Sequence, residues 1–163
     1  MIKFTASVRR LGLILALAIG ILPVAGATAA PPLTPANFNL SAYKGKVVYL
    51  DFWASWCGPC KLSFPFMENL EYTFPGKDLV IIAVNLDHSR ARADAFLQDV
   101  GNANFPIIYD KKGKLATRFH VSAMPTSVLI GRDGKIRYVH KGFFKEKEDQ
   151  YVSDLSKLIN EKQ

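Results

Sequence analysis

Five short segments rich in apolar, β-branched and aromatic residues recur along the chain after residue 46. Residues 47–53 and 79–85 are nearly continuous apolar runs, which are typical of strands covered on both faces of a parallel sheet. Shorter runs at 105–109, 126–130 and 135–139 complete the set. An Asp-Gly pair just before the last run predicts a hairpin turn there. The pattern therefore predicts five strands after residue 46.

The intervals between these strands carry helical patterns. Residues 61–74 repeat apolar side chains every fourth position from Leu62, and residues 89–100 carry an apolar face that ends at a glycine. Two more helices are predicted, a short one at 114–120 and a longer one at 145–160. Strands that alternate with helices predict an α/β fold.

The first 29 residues have the three parts of a secretory signal peptide. Lys3, Arg9 and Arg10 precede an apolar run at 11–22, and small residues follow as far as Ala29. Cleavage after Ala29 would leave 163 − 29 = 134 residues, which is enough for one domain with a hydrophobic core. We therefore expect export to the periplasm.

The segment after the signal peptide sets the predicted domain boundary. Residues 30–37 are rich in proline and alanine and predict an extended linker, so the domain is assigned to 38–163, beginning with a short edge strand. The alternative is a tether by an uncleaved N-terminal anchor, because residues 11–30 approach the roughly 20 residues of a membrane-spanning helix. Pro23 and Gly26 weigh against that anchor.

Charge gives little indication of a partner. The formal net charge is +7, and three of the 21 basic residues lie in the predicted signal peptide. The remainder has 21 − 3 = 18 basic and 14 acidic residues, a net charge of +4. Because no nucleic-acid-binding motif accompanies this modest excess, we expect no nucleic acid as a partner. We also expect a monomer.

The only two cysteines of the chain, Cys57 and Cys60, stand between the first strand and the first helix. At a helix start, unpaired N–H groups and the helix dipole favour a thiolate, which is the form that attacks a disulfide. The pattern predicts that Cys57 opens the helix and attacks, and that Cys60, one turn further in, completes the exchange. Gly58 and Pro59 lie between them, and Trp56 comes just before.

Other uses of such a cysteine pair fit less well. A structural zinc site needs four ligands, whereas the three histidines are scattered and unpaired in sequence. Haem attachment requires a histidine directly after the second cysteine, where this chain has Lys61. A purely structural disulfide stays an alternative, although closing four residues removes little chain entropy. We expect no bound metal.

The cysteine segment and three other features resemble the active site of the thioredoxin superfamily. Asp51, six residues before Cys57, matches the buried acid of the family, and Pro65 matches the proline of the active-site helix. Met124-Pro125-Thr126 matches the loop whose cis-proline faces the dithiol. The resemblance implies a thioredoxin fold with a central mixed sheet flanked by helices, a redox disulfide between Cys57 and Cys60, and no cofactor.

The resemblance also implies roles for these residues. Burial should raise the pKa of Asp51, so that it exchanges a proton with Cys60 during the reaction. The loop Met124-Pro125-Thr126 should bind substrate, with Pro125 in the cis form and the backbone of Met124 paired to an extended segment. Trp56 is expected to contact partner chains at the surface.

A helix and strand at 89–109, inserted after the second main strand, are similar to those of the exported TlpA/ResA-like thiol-disulfide oxidoreductases. This branch implies a reductant of protein disulfides, in several members for cytochrome c maturation, supplied by a membrane thiol reductant of the DsbD or CcdA type. Its cytochrome-maturation members often carry a glutamate where this chain has Ser63 and a non-acidic residue in place of Asp51. The Gly58-Pro59 pair is similar to that of reducing thioredoxins.

Two other classes of function are alternatives to an exported dithiol-disulfide oxidoreductase. A thiol peroxidase of the peroxiredoxin type normally has a threonine three residues and a proline seven residues before its reactive cysteine, where this chain has Ala54 and Leu50. A periplasmic metal-delivery protein would use both cysteines and a histidine as ligands for a soft metal.

Overall fold

A computed structural model describes residues 32–75, 78–101 and 103–161, so the predicted signal peptide lies outside the described residues. The helices and strands are β1 Val47–Trp53, α1 Cys60–Thr73, β2 Leu79–Asn85, α2 Arg90–Asp99, β3 Ile107–Tyr109, α3 Lys114–Arg118, β4 Thr126–Ile130, β5 Ile136–Lys141 and α4 Glu148–Ile159. Two 3-10 helices, Leu40–Tyr43 and Lys145–Lys147, precede β1 and α4. No helix within the described ranges has the length and apolar composition needed to cross a membrane.

The five strands form one mixed sheet in the order β3-β2-β1-β4-β5. β1, β2 and β3 run parallel, whereas β4 is antiparallel to β1 and β5 is antiparallel to β4. The central strand β1 is buried along its whole length, as its continuous apolar run predicts. This mixed sheet flanked by helices confirms the predicted thioredoxin fold.

Side-chain alternation along β1 divides the hydrophobic core into two clusters. Tyr49 and Trp53 lie in the first cluster, which α1, α2 and α4 cover. Leu50 and Phe52 lie in the second, which α3 and the segment before β1 cover. Both cysteines belong to the first cluster, so the disulfide lies on the α1 face of the sheet.

The inserted helix and strand are part of the core below α1. Phe96 of α2 contacts Trp53 and Phe64, with ring centroids 4.7 and 5.2 Å apart. Phe105, just before β3, lies 5.7 Å from Phe64. β3 then extends the sheet by pairing in parallel with β2. The insertion therefore supports both the sheet edge and the helix that carries Cys60.

The predicted edge strand at 38–40 is wrong. The side chain of Asn39 accepts a hydrogen bond from the backbone N–H of Ser41 at 3.0 Å, and a 3-10 helix follows at Leu40–Tyr43. Asparagine favours such a cap over a strand because its side chain competes for nearby backbone groups. Phe38 is nevertheless buried, in the second cluster.

The described part of the predicted linker makes local contacts of its own. The backbone N–H of Thr34 donates to Asn37 at 2.6 Å, and the backbone N–H of Phe38 donates to the carbonyl of Thr34 at 3.0 Å. Leu33 packs against the second cluster. Residues 35–37 thus form a turn, closed by the bond from Phe38 to Thr34, where the composition predicts an extended chain.

Three details of the predicted elements also differ. Leu62 is 55% exposed, because the buried side of α1 is centred on Cys60, Phe64 and Met67. β3 begins after Pro106, which has no N–H to donate to a strand ladder. The last helix is preceded by a 3-10 helix over its first predicted residues.

Candidate active site

The two cysteines form a disulfide across a tight turn between β1 and α1. The backbone N–H of Cys60 donates to the carbonyl of Cys57 at 3.2 Å, and the N–H of Cys57 donates to Ala54 at 3.0 Å. The expectation that Cys57 opens the helix is wrong, because α1 begins at Cys60 with Pro59 as its N-cap. Pro59 already has helical backbone angles, with φ −62° and ψ −22°, and this φ is the one that the proline ring fixes. Cys57 therefore lies in the turn that leads into α1.

The two sulfur-bearing residues differ in exposure. Cys57 is 5% exposed, whereas Cys60 is fully buried. The surface above Cys57 is formed by Trp56, which is 67% exposed, and by the exposed residues Gly58 and Pro59. The predicted surface position of Trp56 is confirmed. Of the two cysteines, only Cys57 reaches the surface.

Asp51 is fully buried near the middle of the sheet, on the same face as the disulfide by strand alternation. Its Oδ1 accepts a hydrogen bond from Ser127 at 2.7 Å, and its Oδ2 has no hydrogen-bond partner. Burial raises the pKa of Asp51 to about 7, although the hydrogen bond from Ser127 acts to lower it. The expected direction of this shift is confirmed. A carboxyl group with this pKa can take or give a proton near neutral pH.

The loop before β4 lies against the same cluster. The Met124-Pro125 peptide bond is cis, as predicted, and Met124 packs on the cluster that contains both cysteines. The Thr126 hydroxyl donates to the carbonyl of Ala123 at 2.8 Å, and the carbonyl of Pro125 accepts from the N–H of Gly142 at 2.8 Å. The loop is thus held from both sides.

Two other predicted positions lie on α1. Pro65 is exposed within the helix. Ser63 is fully buried, and its hydroxyl donates to the carbonyl of Cys60 at 3.1 Å. The side chain at this position therefore lies in the core beside the disulfide.

The family model described as Redoxin matches residues 24–159, which is more than half of the chain. The chain belongs to the Redoxin family. It is 38% identical to the thiol-disulfide oxidoreductase ResA of Bacillus subtilis over 123 residues, which are 76% of this chain and 66% of ResA. The match thus spans just under two thirds of that relative.

Two solved structures resemble this redoxin. A Chlorobium tepidum protein provisionally named a thiol:disulfide interchange protein DsbE is 40% identical, with a TM-score of 0.71 over 74% of this chain and 85% of that protein. The pneumococcal exposed lipoprotein thioredoxin Etrx1 of Streptococcus pneumoniae is 33% identical, with a TM-score of 0.64 over 74% and 91% of the two chains. The predicted resemblance to ResA-like members of the thioredoxin superfamily is confirmed.

The redoxin holds the segment before its cysteines through an acid that the sequence analysis missed. Both carboxylate oxygens of Asp87 accept hydrogen bonds from Ser55, one from its backbone N–H and one from its hydroxyl, each at 2.8 Å. The side chain of Asn85 donates to the same carboxylate at 2.8 Å. In the sequence, the indication of this contact is the Asn85-x-Asp87 pattern at the carboxyl end of β2. The parallel pairing of β1 and β2 brings this end next to the carboxyl end of β1.

Two hydroxyl groups near Asp51 were also missed. Tyr49 and Ser127 are both buried, and the Tyr49 hydroxyl donates to Ser127 at 2.9 Å. Tyr49 stands two residues before Asp51 on the same strand face, whereas Ser127 is 76 residues away in sequence. Only the strand register brings Ser127 beside the acid.

A surface cleft of about 370 Å³ adjoins Trp56 and is also lined by Asp87, His88, Ser89 and Arg92. Its position next to the Cys57 turn makes it accessible to a chain that contacts the disulfide. Within the described residues, no three histidine, cysteine or acidic side chains come close enough together to hold a metal ion.

Proposed function

We propose that this redoxin is an exported thiol-disulfide oxidoreductase that reduces disulfides in other proteins. The observation that carries the proposal is the disulfide between Cys57, which reaches the surface, and a fully buried Cys60, in the cluster against which Met124 packs. In the reduced protein, the Cys57 thiolate attacks a substrate disulfide, forming a mixed disulfide and releasing one substrate thiolate.

Cys60 completes the exchange. Its thiolate attacks the sulfur of Cys57, which releases the second substrate thiolate and closes the Cys57–Cys60 disulfide. Two electrons pass from this protein to the substrate. Asp51 accepts the proton of Cys60, and its position on the disulfide face and its pKa of about 7 support this role.

Insulin reduction tests the activity, and mixed disulfides test the order of attack. We expect wild-type protein to reduce insulin with dithiothreitol as electron source and both single Cys→Ser variants to be inactive. Cys60→Ser should accumulate mixed disulfides with substrate proteins in cells, whereas Cys57→Ser should accumulate far fewer. Equal accumulation in the two variants would show that Cys57 is not the attacking residue.

The direction of electron flow is proposed to be reducing, because Gly58-Pro59 resembles the pair in reducing thioredoxins. Thioredoxin has a potential near about −270 mV, and the oxidant DsbA one near about −120 mV. We expect a value below about −200 mV in a glutathione redox titration. A value above about −150 mV would overturn the reductant assignment.

We propose general protein disulfides as substrates, with cytochrome c maturation as a narrower alternative. Support for the general role is the combination of Ser63 and Asp51, which departs from the usual pattern of cytochrome-maturation members. A disulfide-bonded haem-binding peptide with the Cys-x-x-Cys-His sequence can be compared with insulin at equal concentration. Faster reduction of the peptide by more than about tenfold would favour the cytochrome role.

The electron donor is proposed to be a membrane thiol reductant of the DsbD or CcdA type, since the exported branch depends on such donors. Export through the predicted signal peptide at 1–29 would place both proteins on the same side of the membrane. In cells that lack this donor, the Cys57–Cys60 pair should become fully oxidised, which thiol alkylation before electrophoresis can measure. An unchanged redox state would exclude this donor.

A further inference from the structure

A chain of two hydrogen bonds ends on the buried carboxyl group of Asp51. The Tyr49 hydroxyl donates to the Ser127 hydroxyl at 2.9 Å, and the Ser127 hydroxyl donates to Asp51 Oδ1 at 2.7 Å. All three side chains are buried on the disulfide face of the sheet. The second carboxyl oxygen, Oδ2, is buried and has no hydrogen-bond partner.

The strand geometry explains why these groups meet. Asp51 of β1 pairs directly with Ser127 of β4, and Tyr49 shares the face of Asp51 because side chains alternate along a strand. Paired positions of antiparallel strands bring their Cβ atoms to about 5 Å, which suits a short serine hydroxyl beside a carboxylate. The contact thus depends on the β1–β4 register.

The chemistry of these groups fixes the direction of both bonds. A carboxylate only accepts hydrogen bonds, so the single Ser127 proton is committed to Oδ1 and the serine oxygen accepts from Tyr49. Burial raises the pKa of Tyr49, which keeps its phenol protonated and able to donate. When Asp51 takes up a proton, Oδ2 is the favoured site, because protonation of Oδ1 would weaken the hydrogen bond that this oxygen accepts from Ser127.

We propose that Ser127 is a positioning residue for proton transfer: it holds Oδ1 so that Oδ2 alone exchanges the proton of Cys60, and Tyr49 orients the serine. The inference rests on the proposed function, in which Asp51 accepts that proton. Ser127 does not touch the reacting sulfur atoms in this scheme. It acts by fixing the carboxyl group and by favouring its ionised form.

Among the groups around Asp51, the Ser127 hydroxyl is the one that lowers the pKa of the carboxyl group. The partner of Asp51 on β2 is Ala83, so that strand contributes no charge. The other titratable side chains in the first cluster or beside it are Cys57, Cys60, Tyr109, Tyr138, His140, Tyr151 and Asp154. His140 and Asp154 are paired with each other at 3.3 Å. Burial and the Ser127 bond are the two influences that set the pKa of Asp51.

The test compares Ser127→Ala with Ser127→Thr, which retains the hydroxyl, and with Tyr49→Phe, which removes only the phenol oxygen. Turnover of insulin is measured against pH. Loss of a hydrogen bond to the charged form should move the acidic limb of the Ser127→Ala profile upward by about one pH unit. Tyr49→Phe should shift it less in the same direction, and Ser127→Thr should match wild type.

A second measurement reads Asp51 without activity. The carbon-13 shift of the Asp51 carboxyl group is titrated in the oxidised protein, where the cysteines carry no titrating thiol. We expect its pKa to rise by about one unit in Ser127→Ala and to stay unchanged in Ser127→Thr. An Asp51 titration that is identical in Ser127→Ala and wild type would overturn the inference, provided circular dichroism shows both proteins folded.

The outcomes separate this inference from the proposed function. In a protein that already carries Asp51→Asn, adding Ser127→Ala should cause no further change in the profile of insulin turnover against pH. Suppose that Ser127→Ala raises the pKa of Asp51 in the carbon-13 titration but does not shift the acidic limb of the pH profile of turnover. That result would overturn only the positioning role of Ser127. Absence of insulin reduction by wild type would instead overturn the proposed function, and the carboxyl titration would then still decide whether Ser127 controls Asp51.

Discussion

The carboxyl group of Asp51 makes the stability of the fold depend on pH. Its ordinary pKa is 3.8, and burial raises it to about 7 in the folded protein. Because the folded state holds this proton more tightly than the unfolded state does, the free energy of unfolding falls as pH rises from about 4 to about 7. The loss is complete above that range and is on the order of 4 kcal/mol.

Asp51→Asn should remove this dependence, because an amide stays neutral at every pH. We expect the variant to gain stability relative to wild type as pH rises from 4 to 8, by up to about 4 kcal/mol. Urea unfolding of the oxidised proteins at several pH values measures the difference. The matched control is Asp133→Asn, because Arg137 lowers the pKa of that exposed carboxyl group. A difference that does not vary with pH would contradict the prediction.

At the residue scale, sequence identified the groups that stand near one another in the chain. Cys57 and Cys60 follow from their spacing, and Asp51 from its match, six residues before Cys57, to the buried acid of the thioredoxin superfamily. Ser127 could not be predicted, because its contact with Asp51 depends on which residues of β1 and β4 are paired. A single sequence contains the alternation of a strand but not its register.

At the scale of elements, the inserted α2 and β3 support the helix that carries Cys60. Phe96 is almost fully buried against Trp53 and Phe64. Phe96→Ala should therefore leave a cavity and lower the free energy of unfolding by about 3–5 kcal/mol. Phe144, which is 45% exposed, provides the control, and Phe144→Ala should cost well under half as much. Equal losses in the two variants would contradict a structural role for the insertion.

The contact between Asp87 and Ser55 joins the ends of β1 and β2 just before the disulfide turn. Asp87→Ala would leave the backbone N–H of Ser55 without its partner and should cost about 1–3 kcal/mol. Ser55→Ala removes only the hydroxyl bond and should cost about 1 kcal/mol. Urea unfolding of both variants measures these values. A larger loss in Ser55→Ala than in Asp87→Ala would show that the acid does not anchor the segment.

Sequence predicted the strands best where apolar residues are continuous. β1, β2 and β4 have the predicted bounds because β-branched and aromatic residues fill them and polar or turn residues flank them. It failed where a single side chain or a proline decides the local backbone. Asn39 caps a 3-10 helix in place of a strand, and α1 starts at Cys60, directly after Pro59.

At the scale of the whole molecule, the signal peptide stays a prediction because residues 1–29 lie outside the described structure. Processing after Ala29 should yield a chain that begins at Ala30 and has 134 residues, since 163 − 29 = 134. Expression in a bacterial host, followed by fractionation and intact mass measurement, checks both the site and the compartment. A full-length chain in the membrane fraction would favour the uncleaved anchor.

The positions of the two tryptophans make the fluorescence of the protein depend on the redox state of its cysteines. Trp53 packs in the cluster that contains both cysteines, and Trp56 directly precedes Cys57 at the surface. The chain has no other tryptophan, so all of its indole fluorescence originates beside the sulfur atoms. A disulfide quenches nearby excited indoles by accepting an electron, which a pair of thiols does poorly. The emission intensity therefore reports the redox state directly, and electron transfer to a substrate can be followed in real time without an added dye.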